Sequence, residues 1–416
     1  MDFAYRNGAL CAEQVPLEEI ARRFGTPCFV YSRAAIERQY RAYAQALGKR
    51  TAIVAYSVKA NANLAVLALM ARLGAGFDIV SGGELARVLA AGGDARRILF
   101  SGIGKSEDEI AQALRAGILC LNVESEAELE RVDAVAAGIG RRAPIALRIN
   151  PDIDAKTHPH ISTGLRQSKF GVPFADAERL YREAARRAHL EPVGIGCHIG
   201  SLLADPAPWI EAAARVIELA DRIERAGVAL QHIDVGGGIG IRYRDEPQHP
   251  VEEFVGGALR ALGARQQTLI VDPGRSIVGN AGALLTRVQY VKPGQAKNFL
   301  VVDAAMNDLL RPALYDAWHE VRPVREAHAA APAAVYDVVG PICESADYLA
   351  RDRKLAAQAG DLLAVMSAGA YGMSMSSNYN SRPRAAEVMV DGAGAHLVRR
   401  REDVSELFAG ESIPAW

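Results

Sequence analysis

The sequence predicts an α/β fold: a (β/α)8 TIM barrel followed by a second, mostly β domain. Three observations predict it. Apolar runs rich in β-branched residues recur eight times between residues 52 and 275. The stretches between them place apolar residues at i, i+3 and i+4, the period of an amphipathic helix. After about residue 282 the rhythm changes to strand-like runs separated by Gly, Pro and Asp, with few helical stretches. Strands alternating with helices build right-handed βαβ units and a parallel sheet. Eight such units are the number that closes a barrel. An open doubly wound sheet is the competing arrangement, and the count and spacing favour the barrel.

In chain order the expected barrel strands are 52–60, 76–81, 97–102, 120–125, 144–150, 192–200, 232–238 and 268–275. The expected helices are 64–73, 84–91, 107–116, 127–136, 175–188, 209–226 and 251–262. Ser106 before Glu109 and Ser125 before Glu128 have the spacing of helix N-caps. Beyond the barrel, 284–292, 298–303, 334–340, 362–366 and 386–390 read as strands. The expected organisation is an N-terminal segment 1–30 that joins the β domain, a barrel 31–281, and a β domain 282–416. Two long loops stand out, 151–174 and 306–315, and loops of that length in a compact enzyme are often functional.

Composition excludes several function classes. The chain has 416 residues, 48 Lys and Arg against 49 Asp and Glu, and half of it is hydrophobic. A near-neutral balance gives no support for nucleic-acid or membrane-surface binding. The five cysteines, Cys11, Cys28, Cys120, Cys197 and Cys343, are odd in number, widely spaced and form no CxxC. That pattern argues against a disulfide framework or a zinc site, and no metal is expected. The N-terminus has no apolar signal-peptide region, and no apolar run reaches the length of a membrane span. The expectation is a soluble, cytoplasmic protein.

In a TIM barrel, chemistry sits at the C-terminal ends of the strands. Here those ends carry Lys59, Asp78, Ser81, Ser101, Glu124, Asn150, His198, Ser201, Gly236, Gly237, Gly238, Asp272 and Arg275. Lys59 ends the run IVAYSVKAN. Burial disfavours an ammonium, so a lysine in such a place suits covalent attachment to a carbonyl compound; alternatively it snorkels to the rim. The three glycines in HIDVGGGIG let backbone N–H groups close on a phosphate. They are not a dinucleotide fingerprint, because the third position is Ile241; a tight βα turn is the plainer reading. Asp272 in DPGR places a carboxyl where it can bond a protonated pyridine nitrogen, and Arg275 can grip a carboxylate; a structural ion pair is the alternative. His198 and Ser201 in CHIGS can stack on a ring and bind phosphate, or His198 can be a satisfied core residue. Taken together, a lysine, a glycine cradle, an acid and a flat ring partner form one coherent site for pyridoxal 5'-phosphate.

The chain resembles the fold-type III pyridoxal-phosphate decarboxylases, and among them the diaminopimelate decarboxylases, over nearly its whole length. The resemblance is carried by YSVKAN at 56–61, FDIVSGGEL at 77–85, DAKTHPHISTG at 154–164 with SKFG at 168–171, CHIGS at 197–201, GGG at 236–238 and DPGRS at 272–276. In the second domain it is carried by MNDLLRPALYDAWH at 306–319, GPICESAD at 340–347 and GAYGMSMSSNYN at 369–380. It implies that Lys59 holds the cofactor covalently, and that Asp78, His198, Ser201, the three glycines, Asp272, Gly274, Arg275 and Tyr371 contact it. Asp272 stands where the family usually has Glu, one methylene longer, so a small shift of backbone or cofactor is expected. Arg275, Arg311, Tyr315, Glu344 and Tyr371 are implied to bind substrate. The element with Cys343 and Glu344 is implied to reach into the site of a partner subunit in a homodimer.

The implied reaction is decarboxylation of meso-2,6-diaminopimelate at its D-centre to L-lysine and carbon dioxide, the last step of lysine biosynthesis. Cys343 is implied to protonate Cα, and His198 to act beside Lys59. A decarboxylase of ornithine, arginine or carboxynorspermidine would share the scaffold. An alanine-racemase-like enzyme is disfavoured because such enzymes set an arginine, not an acid, at the ring nitrogen. A cofactor-homeostasis protein is disfavoured because it lacks the second domain.

Overall fold

Eight short strands in which apolar residues predominate form the first of two compact units in the computed structural model, which describes residues 2–154, 163–164, 168–326 and 333–416. This unit comprises Glu37–Ile241 and Pro247–Ser276. Its strands are β1 (Ala52–Ser57), β2 (Gly76–Ile79), β3 (Ile98–Phe100), β4 (Cys120–Val123), β5 (Ala143–Asn150), β6 (Leu190–Cys197), β7 (His232–Asp234) and β8 (Thr268–Val271). Each is parallel to its neighbours, and β8 pairs with β1 through Leu269 and Ala52, which closes the barrel. The predicted (β/α)8 barrel is therefore present, and the open sheet is not. Ile53, Ala55, Leu99, Cys120, Ala146, Val193 and Ile270 fill its interior. Fully burying a side chain such as Leu or Ile stabilises by about 1.5–3 kcal/mol.

The helices lie where the apolar period placed them, Glu107–Ala116 and Val251–Leu262 to the residue. Ser106 forms a full capping box with Glu109. Ser125 forms half of one: its Oγ accepts from the Glu128 N–H, but the Glu128 carboxylate is taken by Lys105 and by the Glu124 N–H.

All the barrel strands but β5, which ends at Asn150 as expected, end earlier than the sequence predicts. β1 stops at Ser57, and Lys59 stands on a 3-10 turn, Val58–Ala60. β7 stops at Asp234 because Gly236 and Gly238 take φ of 78° and 92°. β8 stops at Val271, since Pro273 has no N–H to donate and Arg275–Val278 turns helical. Lys59, His198, Ser201, the three glycines, Asp272 and Arg275 therefore stand beyond the strand ends, whereas Asp78 stays within β2. The loop 151–174 contains a two-residue strand, Val172–Pro173, paired with β5, and its residues 155–162 and 165–167, including most of the DAKTHPHISTG motif, lie outside the described residues. The expected loop 306–315 ends in a short helix, Arg311–Tyr315, with Pro312 in its first turn, where a missing N–H costs nothing.

The second unit comprises Met1–Ile36, Arg242–Glu246 and Ile277–Trp416. Its central strand, Gly282–Lys292, pairs antiparallel with Cys28–Ser32, Asn298–Val302 and Leu362–Val365. Ala386–Asp391 runs parallel to Cys28–Ser32 and turns back into Gly394–Arg399. Leu10, Leu17, Ile20, Val30, Leu285 and Val388 are among the residues of its core. The unit is thus mostly β, with N-terminal residues built into its sheet.

His232 shows how tightly the barrel packs. A Cβ on Gly194 would overlap its imidazole ring. Burial holds its pKa down to about 4. The unfolded chain therefore binds this proton more readily than the folded one, and the stability that neutral His232 contributes is lost as pH falls from about 6.5 to about 4, on the order of 3 kcal/mol at most. In urea unfolding, the midpoint gap between the wild type and His232→Leu should narrow over that interval; a constant gap would contradict the assignment.

Candidate active site

The first barrel strand delivers a lysine to a buried acid. Lys59 Nζ lies 2.9 Å from Asp78 Oδ2, at the end of β2. The same carboxyl accepts from Ser57 Oγ at 3.1 Å and from Ser101 Oγ at 2.6 Å, and Asn122 Nδ2 donates to Ser101 Oγ at 3.0 Å. Burial alone would push the Asp78 carboxyl up; the Lys59 ammonium and these hydrogen bonds outweigh it, and the net shift is down. Asp78 is therefore a fixed negative charge, and it holds the lysine amine at a cavity of about 350 Å³ in the barrel unit. That volume is in the range of small-molecule sites.

On the same cavity, the turns that follow β6 and β8 contribute His198 and Asp272. The Gly237 N–H points at His198 Nδ1 over 3.4 Å, which makes Nδ1 an acceptor and puts the imidazole proton on Nε2. The 3.5 Å approach of Nδ1 to Asp272 Oδ1 is then a contact between two acceptors, and Oδ1 is left buried with no hydrogen-bond partner among the described residues. A buried carboxyl oxygen in that condition awaits a donor.

The three glycines pack too closely for any side chain. A Cβ on Gly236 would lie 2.5 Å from the Cys197 carbonyl oxygen, and one on Gly238 would overlap the carbonyl of Gly200. Arg275 Nε and Nη2 donate to Ser201 Oγ, each at 3.3 Å, which ties the CHIGS and DPGR turns together. Gly274 is pressed against Ser57, where a Cβ would sit 2.9 Å from the serine Cβ.

These features fit pyridoxal phosphate. A primary amine is on hand for its aldehyde, the unpartnered Asp272 oxygen suits the N–H of a protonated ring nitrogen, and a glycine cradle without side chains leaves room for its phosphate. His198 presents its ring on the same cavity.

Sequence reasoning missed several lining residues. Arg148, from β5, pairs with Glu124 at 3.3 Å and stacks over Phe170 with 4.8 Å to the ring centroid. Glu124 also accepts from the N–H groups of Gly102 and Gly171, which fixes two loops to one carboxylate. Asp234, on β7, accepts from the Gly236 N–H at 2.9 Å. Burial pushes its pKa far up, with Asp272 and Asp78 adding to the rise, so it keeps its proton well above the usual carboxylate range. The signal for these residues was a polar residue inside an otherwise apolar strand.

The remaining predicted site residues, Arg311, Tyr315, Cys343, Glu344 and Tyr371, lie in the second unit. Arg311 and Tyr315 open and close the short helix. Cys343 is exposed, whereas the other four cysteines are buried. Glu344 accepts from the Tyr379 hydroxyl, and Tyr371 takes the left-handed region at φ 56°. No cluster of three or more metal-ligating side chains occurs among the described residues.

The family model described as "Pyridoxal-dependent decarboxylase, pyridoxal binding domain" matches residues 33–279. The diaminopimelate decarboxylase of Pseudomonas aeruginosa is 57% identical over 411 residues, 99% of either chain. The crystal structure of diaminopimelate decarboxylase from Helicobacter pylori complexed with L-lysine is similar with a TM-score of 0.92 and 43% identity, covering 95% of this chain and 99% of that one. The diaminopimelate decarboxylase of M. jannaschii in co-complex with L-lysine is similar with a TM-score of 0.94 and 35% identity, covering 99% and 98%. Likeness of this extent, on a barrel whose lysine, acid and glycine cradle suit the cofactor, places the chain in the pyridoxal-dependent decarboxylase family, among the diaminopimelate decarboxylases.

Proposed function

We propose that the chain removes the carboxylate from the D-centre of meso-2,6-diaminopimelate, giving L-lysine and carbon dioxide as the last step of lysine biosynthesis. The observation that carries the reading is the Lys59 amine, held on buried Asp78 in the cavity that also receives the unpartnered Asp272 oxygen. When bound, pyridoxal phosphate supplies the sink for the electron pair left behind by departing carbon dioxide. Lys59 would hold the cofactor covalently through its side-chain amine. Asp272 would hold the ring nitrogen in its protonated form, and His198 would stand beside the ring. Ser201, Gly236, Gly237, Gly238 and Tyr371 would hold the phosphate. Arg275, Arg311, Tyr315 and Glu344 hold the distal carboxylate and amine of the substrate, a recognition that rejects amino acids lacking the second head, because their absence leaves buried polar groups unpaired.

Cα is protonated by the partner subunit's Cys343 in a homodimer. The reading is supported by the exposure of this thiol within its own chain and by the motif around it. We place the enzyme in the cytoplasm; among the described residues no helix is long and apolar enough to cross a membrane.

A substrate panel tests the assignment. Carbon dioxide release is expected from meso-diaminopimelate, and rates at least about 100-fold lower from ornithine, arginine and lysine; comparable turnover of ornithine or arginine would replace the assigned substrate. Mixing inactive Lys59→Ala and Cys343→Ala proteins should restore activity through hybrid dimers with one intact site. No recovery, with subunit exchange verified, would remove the shared site.

A further inference from the structure

Arg311 is an almost fully buried guanidinium, 3% exposed, and its setting is built from side chains that none of the roles above uses. Its Nη1 lies 2.8 Å from His319 Nε2, and His319 Nδ1 lies 2.8 Å from the Met366 carbonyl oxygen. A guanidinium can only donate and a carbonyl can only accept. Both contacts therefore dictate the same state: His319 is neutral, carries its proton on Nδ1, and offers Nε2 as an acceptor to Arg311. The imidazole has no exposure to solvent.

Tyr243 completes the arrangement. Its ring meets the His319 ring edge-on at 5.3 Å, and the Arg311 guanidinium stands over it at 4.7 Å. Tyr243 belongs to the five-residue piece Arg242–Glu246, which follows the glycine turn in sequence but is part of the second unit. Glu246 shapes this piece by accepting from the N–H groups of Tyr243 and Arg244. The neighbouring Trp318 takes Arg244 over its ring at 5.9 Å and Arg353 at 4.7 Å. An arginine side chain loses much rotational freedom when it is fixed, and a buried one needs its donors satisfied. The His319 acceptor on one N–H and the Tyr243 face below hold the guanidinium in place, and neither group brings a formal negative charge. A carboxylate in place of His319 would bring one, and it would compete with an anionic ligand for the guanidinium.

We propose that His319 and Tyr243 are positioning residues that fix the Arg311 guanidinium for the distal carboxylate of the substrate, and thereby set the selectivity for a substrate with a second acidic head. The proposal rests on the reading of Arg311 as a carboxylate ligand. Neither residue touches the reacting atoms. Their removal is expected to weaken recognition of the carboxylate and to leave cofactor binding intact.

The test uses holoenzyme and two ligands that differ by one group: the product L-lysine, which keeps the distal carboxylate, and cadaverine, which lacks it. Their Kd values are measured by calorimetry, and KM and kcat for meso-diaminopimelate are measured alongside. His319→Phe should raise Kd for L-lysine and KM by about 10- to 100-fold, the usual effect of losing a hydrogen bond to a charged group. Cadaverine affinity, kcat and cofactor content should change by less than about threefold. His319→Gln, whose amide oxygen can sit where Nε2 does, should recover most of the lysine affinity. Tyr243→Leu should give a smaller loss with the same preference for L-lysine, and it carries the test if His319→Phe does not fold. If Arg311→Met weakens L-lysine but neither His319→Phe nor Tyr243→Leu does, the positioning role is wrong and the reading of Arg311 stands. Unchanged L-lysine affinity in Arg311→Met overturns both. Equal losses for L-lysine and cadaverine would mark His319 as merely structural and overturn the proposal.

Discussion

Replacing Lys59 by alanine is expected to lower carbon dioxide release by about 10⁴-fold or more, the scale seen when a covalent catalytic group is deleted. The physical reason is local. Among the described residues, Lys59 presents the one side-chain amine on the barrel cavity, and its Nζ is 2.9 Å from Asp78. Arg148, also on the cavity, carries a guanidinium rather than an amine and is engaged by Glu124, so it cannot take over the covalent role. The loss should be accompanied by disappearance of the visible absorbance of the covalently bound cofactor. Asp78 gives a second readout. Lys59 is a main cause that lowers its pKa against the upward push of burial, so in Lys59→Ala the Asp78 carboxyl should titrate at higher pH. The stability that ionised Asp78 contributes, present above the pKa of the unfolded chain and lost as pH falls through the lowered folded value, should then shrink. Retained turnover with the absorbance intact would take Lys59 out of its role.

Asp272→Asn is expected to reduce kcat by on the order of 100- to 1000-fold, with the protein folded and the cofactor still attached. An asparagine has nearly the same shape and contacts the same neighbours, but it cannot hold a positive ring nitrogen by charge. The surroundings of this carboxyl suit it to that role. Its Oδ1 is buried without a hydrogen-bond partner among the described residues, and the neighbouring His198 presents an acceptor to it. The substitution also removes a charge that raises the pKa of Asp234, so the buried Asp234 proton should be released more readily in the variant. Asp272→Glu, one methylene longer, should keep activity to within about tenfold, since cofactor and side chain can shift to share the difference. Wild-type kcat in Asp272→Asn would show that the electron sink does not depend on this carboxyl.

Much of this site was legible in the sequence because its residues belong to turns. Lys59, His198, the three glycines and Asp272 each follow a strand whose apolar run announces it, and a barrel gathers the C-terminal ends of its strands at one face. The strand lengths were overestimated for the same reason. The runs VKAN and GGGIG continue the apolar composition past the last ladder hydrogen bond, while a 3-10 turn at Val58 and positive φ at Gly236 end the strands.

Arg148, Asn122 and Asp234 were not legible as site residues. A polar residue within a short barrel strand can face the cavity or the helices, and one residue of register decides between them. The apolar runs alone do not fix that register, because they extend past the true strand ends. The N-terminal hairpin offered a signal that composition alone passes over. Asn7 and Gly8 both take positive φ between Phe3–Arg6 and Ala9–Ala12, and Asn-Gly between two strands is the strongest short-range mark of a hairpin. Nothing local announced that Tyr243 would leave the barrel unit to stand under Arg311. The stretch RYRDEP is polar and aperiodic, and the ring contact that Tyr243 makes is with a residue far along the chain.

One covalent bond, between an amine of this chain and its cofactor, underlies the proposed chemistry. The most direct measurement is to reduce the purified holoenzyme with borohydride, digest it, and locate the lysine that carries the reduced cofactor by mass spectrometry. The label is expected on the peptide that contains Lys59 and nowhere else. A label on any other lysine, or an enzyme that turns over its substrate yet carries none, would contradict it.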